Sequence, residues 1–136
     1  QVSAKLRGES KGMGAWHLGI TIGRVRALYH PGLDGGAFRF ERIDNNDYLS
    51  GTESVGFTPG DEASQWMSVK VQRLPDKEIK LEVILTEGGN KEGRFETSII
   101  VDAEEIGELN EVSLDRSGRI GGRAYFSDFM MKLTKE

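Results

Sequence analysis

The residues of this sequence that could bind a ligand are aromatic and planar polar side chains, most of them in the first 50 positions. Sugars are recognised by flat aromatic rings against their apolar face, with planar polar groups around them. Guanidinium groups also match the geometry of carboxylate and sulfate groups. The residue types therefore predict a sugar-binding surface formed by His17, Arg24, Arg26, Tyr29, His30, Arg39, Glu41, Tyr48 and Trp66.

These residues are expected to gather around one strand. Tyr29, His30 and Tyr48 are predicted to lie in two long loops that flank the apolar alternation at residues 37–41. Loops on a rigid sheet often carry binding residues. We therefore expect the site at these loops, close to Arg39 on the strand between them.

The two tryptophans have different expected places. Trp16 shares the parity of Leu18 and Ile20, which predicts a core position. Trp66 is out of phase with Met67, so it either covers a sheet edge or serves as a stacking platform.

An oxygen-rich segment follows the same strand. Asp44 and Asp47 flank two asparagines, and Ca²⁺ takes 6–8 oxygen ligands in proteins. A calcium site here would need further ligands such as Asp128. The alternative is a plain turn stabilised by hydrogen bonds from the Asn and Asp side chains.

The carboxylates do not have the spacing of a glycosidase. Two carboxylates on one strand share a face when they are two residues apart, whereas Glu41 and Asp44 are three apart and would point to opposite faces. Glu78 and Glu82 share a parity with Lys80 between them, as on a solvated face. A lyase or hydrolase therefore stays an alternative to a non-catalytic module; a lyase could draw on the candidate His, Tyr and Arg side chains.

Charge is unevenly distributed along the chain. Residues 1–42 hold seven Lys or Arg against three Asp or Glu, and the remaining residues hold eleven against nineteen. This predicts contact with an anionic glycan through two groups of arginines, although ordinary surface ion pairs would give the same counts. The overall charge of −4 and the lack of interleaved aromatic and basic residues argue against nucleic acid. The two groups are Arg24, Arg26, Arg39 and Arg42, and Arg116, Arg119 and Arg123.

Period-2 alternation of apolar and polar residues is the dominant pattern and indicates the elements that position these side chains. It recurs at least six times, and the 18 glycines among 136 residues indicate many turns. One buried and one wet face per strand is typical of antiparallel sheets. A single helical turn is expected after Asp102. The sequence therefore predicts an all-β fold, an antiparallel two-sheet β-sandwich formed by one domain over residues 1–136.

The order of strands and turns follows a recognisable pattern. A Trp-led strand (residues 65–71) is followed by a tight hairpin, a second strand (80–83) and a short turn into residues 111–115. The chain closes on an aromatic-x-Asp pattern within residues 121–129. This order resembles the concanavalin-A-like jelly roll in its laminin-G-like and carbohydrate-binding-module branches.

The resemblance implies a lectin-like, extracellular module that is secreted or held at the cell surface. The implied partner is a carbohydrate, with an acidic polysaccharide favoured by the arginines. We expect either no cofactor or a structural Ca²⁺ ion. The first residue lies inside a strand pattern, so the chain is expected to be excised from a longer protein whose other domains are partners. No apolar stretch long enough for membrane insertion is present. The alternative is a structural or adhesion domain without a ligand.

Overall fold

Two antiparallel sheets form the fold, as predicted. The computed structural model describes residues 1–9, 16–30, 36–45, 47–56, 64–87, 93–109, 112–118 and 123–131. The described strands are β1 (Val2–Glu9), β2 (Trp16–Ile22), β3 (Val25–His30), β4 (Ala37–Arg42), β5 (Glu53–Ser54), β6 (Ser64–Leu74), β7 (Glu78–Glu87), β8 (Arg94–Asp102), β9 (Val112–Gly118) and β10 (Arg123–Met131). Sheet I has the strand order β10-β1-β6-β7-β8, and sheet II has the order β5-β4-β3-β2-β9.

The all-β sandwich is thereby confirmed, while its jelly-roll topology stays a prediction. Strands β2 to β5 follow one another in sheet II, and β6 to β8 do so in sheet I. Strands β1 and β10 are added to sheet I, and β9 to sheet II, beside strands that are consecutive in the chain. In the described part of the chain, no helix is long and apolar enough to span a membrane.

The described core lies between the sheets and consists mainly of alternate residues of β2, β3, β4, β6, β7 and β8. Phe38 and Phe40 meet edge to face with ring centroids 5.1 Å apart, and the Phe38 ring lies 5.6 Å from that of Phe95 on β8. Burying each large side chain contributes about 1.5–3 kcal/mol. The buried cluster comprises Ile20, Ile22, Val25, Ala27, Tyr29, Phe38, Phe40, Val55, Met67, Val69, Ile79, Leu81, Val83, Leu85, Val101 and Ile106.

Strand β3 corrects one prediction. Tyr29 and His30 were expected in a loop, but both belong to β3 and pair with Phe38 and Ala37 on β4. Leu28 is buried although it lies out of phase with the core residues. Because both faces of β3 are covered, the strand lacks the alternation that marks its neighbours.

The turn between β2 and β3 is fastened to a helical turn, α1 (Ala103–Ile106). The backbone N–H of Arg24 donates to the Ile106 carbonyl at 2.8 Å, and its guanidinium donates to the Glu104 carbonyl. Gly23 has a φ of 59°, and a Cβ there would overlap the Ile106 carbonyl oxygen. We call this contact the hairpin clasp. Asp102 occupies the N-cap position of α1, although its side chain makes no capping hydrogen bond.

Candidate functional site

The candidate site lies on the face of sheet II that points away from the core. Antiparallel pairing places Arg26 opposite Glu41 and Leu28 opposite Arg39. These residues alternate with the core residues of β3 and β4, so they share the outer face.

A buried carboxylate holds two guanidinium groups together at this face. Glu41 is only 5 % exposed, and its Oε2 accepts a hydrogen bond from Arg39 Nε at 3.0 Å. Arg26 Nε lies 3.8 Å from the other oxygen, Oε1. We call these three residues the Arg26–Glu41–Arg39 cluster. Both guanidinium groups therefore lie within ion-pair distance of the same carboxylate.

Tyr48 places an exposed aromatic ring against this cluster. The guanidinium carbon of Arg39 lies 4.4 Å from the Tyr48 ring centroid, while 59 % of Tyr48 is exposed. Such a cation–π contact is worth about 0.5–1 kcal/mol at an exposed position. The segment after β4 folds back on that strand, because Arg42 N–H donates to the Asp47 carbonyl and Leu49 N–H to the Phe40 carbonyl, both at 2.9 Å. The ring is therefore held by its own backbone as well as by Arg39.

His30 ends the same face of β3. Burial lowers the pKa of His30 below its ordinary value of 6.5; a backbone hydrogen bond partly offsets this, and the charge of Arg39 lowers the pKa further. The imidazole is therefore neutral near pH 7. His17 lies on β2 opposite Ser117 of β9, and its side chain lies outside the described part of the structure.

Three predicted site residues lie elsewhere. Arg24 forms the hairpin clasp, and Tyr29 is fully buried between the sheets. Trp66 lies on β6, the central strand of sheet I, so it covers no sheet edge, contrary to one of its two expected roles. The structure therefore brings together Arg26, Arg39, Glu41 and Tyr48, with His30 at the end of the same face.

The arginines outside the cluster are placed differently. Arg42 donates from Nε and Nη2 to the two carboxylate oxygens of Asp44, at 3.1 and 2.6 Å. Arg116 and Arg123 lie on β9 and β10 with only their backbone described, and Arg119 lies outside the described residues.

The described part of the oxygen-rich segment contains a hydrogen bond typical of a turn. Asp47 N–H donates to the Asn45 side-chain oxygen at 3.0 Å. The hydrogen bond from Arg42 lowers the pKa of Asp44 below its ordinary value, so a cation would have to displace a guanidinium there. Asp128 lies on β10 of the other sheet, with its side chain outside the description. In the described ranges no three Asp, Glu or His side chains converge, and Ca²⁺ binding through Asp44, Asp47 and Asp128 stays a prediction.

Sequence reasoning missed the buried apolar residue beside Arg39 on the outer face. Leu28 is 1 % exposed and pairs with Arg39 across β3 and β4. The available signal was an apolar residue on the polar parity of its strand, beside the run of buried residues in β3.

No family model, curated protein or solved structure matches this chain. The resemblance to concanavalin-A-like domains therefore stays a prediction.

Proposed function

We propose that this protein is a non-catalytic, lectin-like carbohydrate-binding module whose site centres on Tyr48 and Arg39. The observation that carries the proposal is the exposed Tyr48 ring stacked beside the Arg39 guanidinium. Sugar rings bind to an aromatic surface with several hydrogen-bond donors close by, as the Tyr48 ring and the N–H groups of Arg39 provide.

The geometry supports a preorganised site. Arg39 uses its Nε–H on Glu41, which fixes the guanidinium plane and leaves the terminal N–H groups for sugar hydroxyl or carboxylate oxygens. The backbone hydrogen bonds around Tyr48 limit the ordering cost on binding. The apolar face of a sugar would rest on the exposed part of the ring.

The arginines at the site support an acidic glycan. Arg39 contacts the Glu41 carboxylate through Nε, and Arg42 is paired with Asp44. The terminal N–H groups of the Arg39 guanidinium match the geometry of a sugar carboxylate or sulfate. In this role the protein would be secreted or held at the cell surface. Its other partners would be the remaining domains of a parent chain.

A glycan array, run with and without Ca²⁺, is the first test, followed by titration of the best ligand against single variants. We expect Tyr48→Ala to weaken binding about tenfold or more, equivalent to about 1.4 kcal/mol, and Tyr48→Phe to retain most of it. Ile43→Ala, which removes another exposed apolar side chain nearby, is the matched control. Absence of any glycan ligand, or unchanged binding by Tyr48→Ala, would refute the proposal and leave the structural or adhesion role.

Replacing Arg39 tests whether its guanidinium contacts an anionic group of the glycan. Arg39→Ala is expected to weaken binding of an acidic glycan and to reduce its sensitivity to added salt. Arg73→Ala removes the same charge from an exposed position on β6 of sheet I and should change neither. Equal salt sensitivity in wild type and Arg39→Ala would show that Arg39 does not contact the anionic group.

A further inference from the structure

Strand β8 ends sheet I, and its outer edge is the most regular one in the described structure. It pairs with β7 without a register shift from Glu78↔Asp102 to Thr86↔Arg94. An edge strand presents alternate backbone N–H and C=O groups that can pair with another strand. This edge is nine residues long.

The usual protections against edge pairing are weak on β8. Natural edges are kept short, bulged or charged. In β8 the stretch from Thr97 to Val101 contains no charge, Pro or Gly, and Ile100 is 52 % exposed. The other described edges differ: β5 has two residues, the β10 ladder has a register shift, and β9 carries Asp115 and Arg116.

The charges of β8 are complementary to those of an inverted copy. With a two-fold axis at Ser98, Arg94 of each copy lies opposite Asp102 of the other copy, which gives two pairs of opposite charges. Phe95 then lies opposite Val101 and Glu96 opposite Ile100, so every pair joins residues of the same sheet face.

Neighbouring registers lack this complementarity. An axis at Ile99 places Glu96 opposite Asp102, and an axis at Glu96 places that residue opposite its own copy; both oppose like charges. An axis at Thr97 leaves Arg94 opposite Ile100. A two-fold axis midway between two neighbouring residues would place residues from opposite faces of the sheet across from each other. Both side chains of the Arg94–Glu96 ion pair within one copy are exposed. Arg94 can therefore exchange Glu96 for Asp102 of the second copy at little cost in free energy.

We propose that two copies of this chain associate antiparallel through β8, about a two-fold axis at Ser98, joining two five-stranded sheets into one. The partner is a second copy because the charge pattern of the strand is self-complementary only on inversion. The interface lies on sheet I, whereas Tyr48 and Arg39 lie on sheet II, so the proposal is independent of carbohydrate binding.

Analytical ultracentrifugation across micromolar to millimolar concentrations tests the charge pairing. Wild type should show a monomer–dimer equilibrium, and Arg94→Asp and Asp102→Arg should each weaken dimerisation about fivefold or more. The double variant Arg94→Asp/Asp102→Arg restores opposite charges and should recover most of the affinity. A monomer at all concentrations, growth beyond a dimer, or a double variant weaker than either single variant would overturn the proposal.

Cysteine crosslinking tests the register. The chain has no native Cys. In the proposed register two copies of Ser98→Cys face each other at a Cα separation suited to a disulfide, about 4.4–6.8 Å. Glu96→Cys, on the same strand and face, would be offset by four residues and is the matched control. Crosslinking of Glu96→Cys as fast as Ser98→Cys would exclude this register.

Discussion

Replacing Gly23 by Ala tests whether the hairpin clasp stabilises the sandwich. Gly23 has a φ of 59°, and its α-carbon faces the carbonyl oxygen of Ile106. Ala therefore introduces backbone strain and a steric overlap at once. Because the obstructing atom is backbone, α1 would have to move away from the β2–β3 turn.

The cost can be built up from its parts. A side chain in the left-handed region costs about 1–2 kcal/mol. Moving α1 breaks the 2.8 Å hydrogen bond from Arg24 N–H to Ile106, worth about 0.5–1.5 kcal/mol. Replacing Gly stiffens the unfolded chain and returns about 0.4–1 kcal/mol. The unfolding free energy should fall by about 2 kcal/mol, and by more if the fully buried Ile106 side chain shifts.

Two other glycines separate strain from contact. Gly56 has a φ of 85° with nothing within 4 Å of its Cβ position, so Gly56→Ala should cost about 1 kcal/mol through strain alone. Gly51 has neither feature, and Gly51→Ala should be neutral or slightly stabilising. Urea unfolding followed by circular dichroism measures all three. Equal losses for Gly23→Ala and Gly56→Ala would refute the clasp as a stabilising contact.

Three further changes probe the ionic, titratable and strained positions. Glu41→Gln should lower the unfolding free energy by about 2–3 kcal/mol, because it removes the carboxylate that two partly buried guanidinium groups contact. Glu82→Gln, in an exposed pair with Lys80, is the control and should change little in the same urea experiment. The pKa of His30 lies below 6.5 in the folded state, so the unfolded chain takes up the proton first as pH falls. The stability from neutral His30 is therefore present above about pH 6.5 and is lost below it, and His30→Gln should remove that part of the pH dependence; parallel profiles for the two proteins would contradict the assignment. Lys77 has a φ of 58°, a conformation that Asn tolerates better than Lys. Lys77→Asn should therefore raise the unfolding free energy by about 0.5–1 kcal/mol and the melting temperature with it. An unchanged or lower melting temperature would show that the turn is not strained there.

Alternation identified the strands that have one buried face. The apolar parity of β7 and β8 is that of the core, as the sequence predicted. Strand β3 shows no such alternation, because its outer face is buried as well, so the pattern does not identify Tyr29 and His30 as strand residues. The pattern reports the contrast between two faces, so it fails where no contrast exists.

The candidate site was only partly accessible from sequence. Arg39 and Glu41 share a face by strand parity, which the spacing alone predicts. Tyr48 reaches them through backbone hydrogen bonds of the following segment, which no side-chain pattern encodes. Trp66 was grouped with them by residue type, although sheet order places it on the opposite sheet.

The strand order also bears on how the chain reaches its native state. Each sheet contains a run of strands joined by consecutive connections, β2 to β5 and β6 to β8, whereas β1 pairs with β10 and β2 with β9 across most of the chain. Loop-closure entropy makes such distant pairings late and slow to form. The two consecutive runs should therefore be largely formed in the folding transition state, with β1, β9 and β10 joining them afterwards.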